Sequence, residues 1–284
     1  MSSSSNAQLL CFHNWEALEA PHPENGEWAQ RLIDAGFDGI QFGYPWRDDR
    51  LAMAREAGLR VCGSGRVNIP ADADLLAARA GEAGLECMTL HVGWGYEDDA
   101  EASVLIESVL QAEQRHHMPL YVETHRATLF QDIWRSVQWI RRFPTLRFNA
   151  DFSHWYTGLE MVYGDFDRKL EYITPVIERT LFLHGRIGNP GCMQVELGPI
   201  EHARTLPFVQ HFQKLWTAVF LAFQQRATPG RELIFTAELL SSEFYYARTF
   251  GGVEESDRWG QSLIITQLAR ECFASTGYPA VHSV

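Results

Sequence analysis

Residues 57–92, AGLRVCGSGRVNIPADADLLAARAGEAGLECMTLHV, hold the pattern from which the architecture of the chain can be worked out. Residues 59–62 and 87–92 are short apolar runs typical of buried strands, and residues 72–82 between them have helix-favouring composition. Gly84 stands where this helix should end before the next strand begins, as glycines at helix C-termini do. The stretch therefore predicts a β-α-β unit with two parallel strands.

The same unit repeats on both sides of this stretch. An Ala-Gly-(Phe/Leu) triplet at residues 35–37, 57–59 and 83–85 marks three equivalent helix-to-strand junctions. Helical patterns recur at residues 100–116 and 130–142. Eight strand candidates result: residues 9–13, 39–42, 59–62, 87–92, 120–125, 146–152, 180–185 and 233–239. Because all eight are apolar enough to be buried on both faces, they predict a parallel sheet.

Eight parallel strands close a (β/α)8 TIM barrel, and 284 residues is close to the ~250 typical of that fold. The rival architecture is an open doubly wound sheet, which needs a glycine-rich phosphate turn after an early strand. Gly63-Ser64-Gly65 has Asn68 where the third glycine would be required. We predict an α/β fold in which residues 1–284 form a single-domain (β/α)8 barrel, with residues 187–204 as a loop over its mouth.

The composition indicates a globular protein, with 46% hydrophobic and 21% charged residues, and its net charge of -12 argues against nucleic-acid binding. The five cysteines are widely spaced without a CxxC pair, which favours reduced thiols. Residues 1–6 lack the features of a signal peptide, and the longest apolar stretch, residues 215–223, is far shorter than the ~20 residues that span a bilayer. We expect a cytoplasmic protein without membrane contact. A homo-oligomer is compatible with the sequence.

Metal-capable side chains stand at the ends of the later predicted strands. Glu123, Asp151, His184 and Glu238 end strands five to eight, and the carboxyl ends of barrel strands meet at one mouth. Three ionised carboxylates held close together repel one another strongly unless a cation lies between them. Three carboxylates and one imidazole suit Mn²⁺ best, with Co²⁺, Mg²⁺ or Zn²⁺ as alternatives. We predict that these four residues hold one divalent cation.

Further polar residues flank this predicted site. His154 lies just beyond strand six and could turn back over the cation. Arg186 is two residues from His184 and shares its face of the strand, so it could hold a substrate hydroxyl or carboxylate, or form a plain salt bridge. His91 and His125, near the ends of strands four and five, could contact a substrate or orient other side chains.

Aromatic residues also follow the strand ends. Trp15, Trp94 and Trp155 could pack at the rim or form a wall for the apolar face of a sugar. Trp94 joins the four residues of the preceding paragraph, His154, Arg186, His91 and His125, as the predicted substrate-binding set. His13 stands at the end of the first predicted strand.

Four short blocks resemble the xylose isomerase-like TIM-barrel superfamily: Val122-Glu123-Thr124-His125, residues 149–155 (NADFSHW), Leu183-His184-Gly185-Arg186 and Thr236-Ala237-Glu238. They are most similar to the sugar isomerase/epimerase branch that includes D-tagatose 3-epimerase, and the likeness covers nearly the whole chain in strand order.

This resemblance implies one divalent cation held by Glu123, Asp151, His184 and Glu238, which acidifies a carbon-bound proton of a ketose and stabilises a cis-enediolate. It further implies that Glu123 and Glu238 exchange that proton from opposite sides of the substrate. By the same resemblance, His154 and Arg186 would anchor the first sugar oxygens.

Departures from the branch's pattern leave other activities open. His125 and Arg126 replace the more apolar context usual after that glutamate, and could favour a carboxylated, oxidised or bulkier substrate. Dehydration of a keto-sugar or keto-inositol begins with the same proton abstraction and is the main alternative. A non-catalytic sugar-binding barrel is a third interpretation.

The superfamily also contains endonuclease IV, a three-zinc nuclease for abasic DNA. The resemblance would then require a histidine at the end of strand three and an Asp-x-His after strand seven. The chain has Cys62-Gly63-Ser64 at the first place and only Gln194 and Glu196 at the second. Together with the acidic net charge, this argues against the nuclease.

Overall fold

Eight short parallel strands close into a barrel in the computed structural model, which describes residues 7–18, 25–228 and 230–277. The barrel strands are β1 Gln8–Asn14, β2 Gly39–Gly43, β3 Arg60–Val67, β4 Met88–Val92, β5 Leu120–Glu123, β6 Phe148–Ala150, β7 Thr180–Gly185 and β8 Glu232–Ala237. The helices are α1 Glu27–Asp34, α2 Asp48–Glu56, α3 Pro70–Glu82, α4 Asp99–His116, α5 Ile133–Arg142, α6 Phe152–Gly158, α7 Phe166–Tyr172, α8 Thr174–Ile177, α9 Ile200–Ala203, α10 Pro207–Arg226 and α11 Arg258–Ser275.

Each strand pairs in parallel with the next one in the sequence, and β8 returns to pair with β1 over six residue pairs. Parallel neighbours require long crossovers, which here run through the helices on the outside of the barrel. The predicted (β/α)8 barrel is therefore confirmed.

Some predicted boundaries are wrong. Gly63-Ser64-Gly65, which we placed beyond strand three, lies inside β3 and pairs with residues 88–90 of β4. The predicted loop 187–204 ends in helix α9, and its Gln194 amide donates to the carbonyl of Leu240. The chain after β8 also forms a small hairpin of β9 Thr249–Phe250 and β10 Val253–Glu254, which the sequence patterns did not predict.

The barrel interior changes from apolar to polar along its axis, because alternate residues of each strand point inward. One layer of buried inward residues is apolar and comprises Leu10, Phe12, Cys62, Cys87, Phe182 and Ile234. Gly39 makes this layer possible, because a Cβ there would lie 2.4 Å from the Phe12 ring. Towards the carboxyl ends of the strands, the inward residues become amides, hydroxyls and ionisable groups.

Because alternate residues of a strand point to opposite sides, the side chain of His13 points away from the barrel interior. Its ring lies 5.1 Å from that of Phe37 and 5.6 Å from that of Trp259, outside the barrel wall. The inward position at this strand end belongs to the next residue, Asn14. His13 therefore takes no part in the polar mouth, although it ends a strand.

The cysteines of the chain are free thiols, and Cys192 is the least buried of them. Over the described ranges, none of the helices combines the length and the apolar composition needed to cross a membrane.

Candidate metal centre

Four residues from strands β5 to β8 bring their ligand atoms within 4.8 Å of one another: Glu123, Asp151, His184 and Glu238. Glu123 is the last residue of β5, His184 lies in β7, and Asp151 is the N-cap residue of α6, directly after β6. Three of the four side chains are at most 2% exposed, and that of Glu238 is 12% exposed. The structure thus brings together the four residues that we predicted as ligands.

An amide network that the sequence did not reveal supports this group from below. Asn149 donates to Glu123 Oε2 at 3.0 Å, and Asn14 donates to Glu238 Oε1 at 3.1 Å. Asn14 also donates to Gln41 Oε1 at 3.1 Å. Buried hydrogen bonds of this kind hold the side chains that they join in fixed orientations. The only sequence signal for these amides was their inward position on the strands.

The hydrogen bond of Gln41 fixes the tautomer of His184. Gln41 Nε2 donates to Thr89 at 2.8 Å, so its Oε1 must accept, and His184 Nε2 lies 2.9 Å from that oxygen. His184 therefore carries a proton on Nε2, and its Nδ1 faces the carboxylates of Glu123 at 3.4 Å and Glu238 at 3.2 Å. A histidine held in this way presents Nδ1 as a metal ligand once that nitrogen is deprotonated.

The electrostatics of the four residues fit a divalent cation. Burial would raise the pKa of Glu123, but the adjacent imidazoles of His184 and His91 hold it well below its usual range. Burial likewise opposes ionisation of Asp151, yet Arg186 and His154 lower the pKa of that carboxyl. Asp151 Oδ2 is buried and accepts no hydrogen bond from the described residues. Ionised carboxylates with an unsatisfied buried oxygen are the donor set that a hard cation requires.

Arg186 lies among the ligands. Its guanidinium is buried, forms a short ion pair with Glu238, and places Nη1 3.2 Å from Asp151 Oδ2. Its other face lies 4.3 Å above the ring of Tyr246. Of the two uses that we foresaw for Arg186, the salt bridge is the one that the geometry contains. It supplies positive charge between two of the carboxylates.

Three histidines line the open side of the group. The ring of His125 lies 4.0 Å from that of His91 and 4.0 Å from that of His154. Burial holds the pKa values of His125 and His154 below the usual range, so both rings are neutral at neutral pH. His91 Nε2 is 3.3 Å from Glu123 Oε2, and these two residues with His125 form a second group that could hold a cation.

Tyr246, from the segment after β8, completes this side of the site. Its hydroxyl lies 3.0 Å from His125 Nε2, while His125 Nδ1 bonds the carbonyl of Arg126. Burial raises the pKa of the Tyr246 hydroxyl, which therefore keeps its proton and can donate it to His125. The sequence carries no local signal for Tyr246 as a site residue, because it lies in an irregular segment far along the chain from β5.

The predicted aromatic wall is reduced to one tryptophan. Trp94 is 46% exposed, whereas Trp15 and Trp155 are buried in the core. Trp155 donates its indole N–H to the carbonyl of Phe130 at 2.9 Å. The rim-packing alternative therefore holds for the two buried residues, and only Trp94 can face a ligand.

Comparison with known structures shows that this barrel is similar in fold to several solved TIM barrels, some of them described as xylose isomerase-like. A D-tagatose 3-epimerase-like protein is 10% identical, with a TM-score of 0.58 over 94% of this chain and 99% of that one. A xylose isomerase-like TIM barrel protein from Mycobacterium smegmatis, solved in complex with magnesium, is 15% identical, with a TM-score of 0.56 over 96% and 100% of the two chains. The probable 3-DHS dehydratase AsbF from Bacillus anthracis is 12% identical, with a TM-score of 0.54 over 92% and 97%.

No protein-family model and no curated protein matches the sequence. At identities this low, the likeness to solved structures establishes the fold alone. A shared barrel does not fix a reaction, since function depends on the residues at the site.

Proposed function

We propose that this protein is a divalent-cation-dependent isomerase or epimerase that moves a proton at the carbon next to the carbonyl of a keto-sugar. One observation carries the proposal. The carboxylates of Glu123 and Glu238 come from strands far apart around the barrel, yet both lie within 3.4 Å of His184 Nδ1. Two carboxylates around one point can act on a substrate from two directions.

The two glutamates would divide the proton transfers. Glu123, whose pKa is held low by its histidine neighbours, is ionised at neutral pH and can accept a proton from carbon. For inversion, Glu238 would first take up a proton from solvent and deliver it to the opposite face of the carbon, while the abstracted proton leaves Glu123 to solvent. Delivery of the abstracted proton by Glu123 to the adjacent carbon, with transfer of the hydroxyl proton between the two enediol oxygens, would give the isomer. A cation held by Glu123, Asp151, His184 and Glu238 would supply charge that stabilises the developing enediolate oxygen.

The residues around the glutamates would bind the rest of the sugar. The neutral ring of His154 can exchange hydrogen bonds with hydroxyl groups, because both of its nitrogens lack a hydrogen bond among the described residues. Tyr246 and Arg126 occupy the nitrogens of His125, so that ring would contact a substrate by packing alone. The exposed face of Trp94 suits the apolar face of a sugar ring. These contacts orient a substrate without adding charge.

A dehydratase is the second candidate, and Glu16 favours it. This residue follows β1, in a short 3-10 helix of Trp15–Ala17. Burial raises the pKa of its carboxyl, and the negative charge of Glu238 raises it further. A carboxyl with a raised pKa is a better proton donor than an ordinary glutamate, and protonation of a leaving hydroxyl is the step that dehydration adds to proton abstraction.

The test is proton exchange in D₂O with Mn²⁺-loaded protein and a panel of ketoses. Deuterium in a sugar product of unchanged formula supports the isomerase, and loss of water supports the dehydratase. We expect Glu238→Gln to lower turnover by at least roughly 100-fold, because it removes a proton-transfer group while keeping the side-chain shape.

The matched control is Glu232→Gln, which changes a partly exposed glutamate at the other end of the same strand. It should leave turnover unchanged. Full activity in folded Glu238→Gln would refute the assignment, and binding of a ketose without any exchange would favour the non-catalytic barrel.

A further inference from the structure

The candidate metal centre is closed on most sides. The side chains of Glu123, Asp151 and His184 are at most 2% exposed, whereas that of His91 is 30% exposed. Trp94 beyond β4 and Arg126 beyond β5 are more exposed still. A substrate therefore reaches the centre from the side formed by strands β3 to β5.

Arg66 stands at this opening. It occupies an inward position near the end of β3, in register with His91 of β4. Its Nη1 donates to the carbonyl of Gly93 at 2.8 Å, and its guanidinium lies 4.3 Å from the ring of Trp94. Its Nε and Nη2 make no hydrogen bond, and no carboxylate pairs with it, among the residues that the structure describes.

Arg126 stands on the other side of the opening. Its guanidinium lies 4.9 Å from the ring of Tyr246 and forms no ion pair within the described ranges. Arg66 also approaches the turn that carries Arg126, since its Nη1 is 3.5 Å from the carbonyl oxygen of Ala127, the residue after Arg126. Both arginines rest on aromatic rings, an arrangement that holds a guanidinium in place while its N–H groups stay available.

The nearby carboxylates are engaged elsewhere. Glu97 accepts the backbone N–H groups of Trp94 and Gly95 at 2.6 and 2.8 Å. Glu123 belongs to the candidate metal centre. Partial burial lowers the pKa of the Arg66 guanidinium despite these charges, as expected of a desolvated cation without a direct partner.

Two other arginines near the site are paired with carboxylates. Arg248 is paired with Glu255, and Arg186 with Glu238 and Asp151. In a chain of net charge -12, two guanidiniums at the opening of a site, each without a carboxylate partner among the described residues, favour the binding of an anion.

The geometry points to a substrate that carries an anionic group, a carboxylate or a phosphate, at the end remote from its carbonyl, bound by Arg66 and Arg126. This inference rests on the proposed function for the reacting end of the substrate. Two guanidiniums can bind the oxygens of one carboxylate or phosphate through charge-assisted hydrogen bonds. They would orient the sugar with its carbonyl towards the metal centre.

The experiment compares sugars that differ only at the terminal carbon. Binding of D-fructose, D-fructose 6-phosphate and D-fructuronate, and of the corresponding tagatose series, is measured by calorimetry on Mn²⁺-loaded protein. Deuterium exchange is followed separately on the same six sugars. The variants are Arg66→Met and Arg126→Met, with Arg→Lys at each position to restore the charge. Arg168→Met, an 82% exposed arginine of α7 at the same end of the barrel, is the matched control.

We expect an anionic sugar to bind at least about tenfold more tightly than its neutral counterpart, and each Met variant to weaken that binding by roughly 10- to 100-fold. The Lys variants should lose less affinity for the anionic sugar than the Met variants. The Arg168→Met control should bind it as the unmodified protein does, and the affinities of the neutral sugars should not change in any variant. Preference for the fructuronate or tagaturonate arm identifies a carboxylate, and preference for the 6-phosphate arm identifies a phosphate.

Three results overturn the inference: no binding of any anionic sugar, equal binding of charged and neutral sugars, or equal losses for both classes in the Met variants. If the anionic group bound only to the Mn²⁺ ion, its affinity would likewise be unchanged in the Arg66 and Arg126 variants. A different result would separate the two proposals. If anionic sugars bind more tightly in a way that depends on the two arginines, but no sugar exchanges deuterium, the proposed function is refuted and the anion subsite is retained.

Discussion

Acidification should weaken metal binding through one residue, His184. Burial by itself would lower the pKa of this imidazole, but the charges of Glu238 and Glu123 raise it to about 9. In the cation-free protein at pH 7, His184 is therefore protonated on Nδ1, the nitrogen that faces the carboxylates. A cation must displace that proton, which at two pH units below the pKa costs about 3 kcal/mol.

The carboxyls of Glu123 and Asp151 release no proton in the same range. The pKa values of Glu123 and Asp151 are held below normal, so both are ionised well below neutral pH. Apparent affinity for Mn²⁺ should therefore fall about tenfold for each pH unit below 9, or roughly 100-fold from pH 8.5 to 6.5. Because the effect comes from His184 alone, a plot of the logarithm of the apparent affinity against pH should have a limiting slope of one, which corresponds to one proton released per cation bound.

Calorimetric titration with Mn²⁺ in two buffers of different ionisation enthalpy counts the released protons directly. We expect close to one proton and one cation per chain at pH 7.5. His116→Gln, on the partly exposed end of α4, should leave the proton count unchanged. A pH-independent affinity with no released proton would refute the assigned state of His184, and two cations per chain would show that the group of His91, Glu123 and His125 is also occupied.

The same pKa shift acts in the opposite direction on the stability of the cation-free protein. A raised folded-state pKa stabilises the fold fully below the unfolded value of ~6.5, and that contribution is lost as the pH rises through about 9. For this buried group the loss amounts to roughly 3 kcal/mol. Urea unfolding of the chelator-treated protein at several pH values measures it.

Two further substitutions test the support of the site and the packing of the barrel. Gln41→Leu removes the acceptor that orients His184 and should lower Mn²⁺ affinity by roughly 10- to 100-fold in the same titration; unchanged affinity would refute the orienting role. Gly185→Ala places a Cβ 2.2 Å from the Phe235 ring and should lower the free energy of unfolding by about 1–3 kcal/mol. Gly81→Ala, in open space on α3, should instead raise it by about 0.5–1 kcal/mol; similar urea midpoints for the two variants would contradict this packing argument.

Local patterns were sufficient for the architecture and for the four ligand candidates. The apolar runs and the helix-ending glycines predicted eight β-α units, because each pattern depends only on residues near in sequence. Glu123, Asp151, His184 and Glu238 could be found because parallel strands place their carboxyl ends at one mouth. Local patterns did not give the direction of each side chain. His13 ends a predicted strand, but it is its neighbour Asn14 that points inward.

Contacts between distant parts of the chain had to come from the tertiary structure. Closure of the barrel brings Asn14 to Glu238 and Gln41 to His184, which fixes the histidine tautomer. The segment after β8 brings Tyr246 to His125, and the register of β3 with β4 brings Arg66 to the opening. An amide or an arginine has no local sequence signature for such contacts, because its partner is chosen by packing across the barrel. Sequence therefore determined the barrel and the candidate ligand set, while barrel closure and packing decided the protonation of His184, the hydrogen bonds that support the site and the side on which it is open.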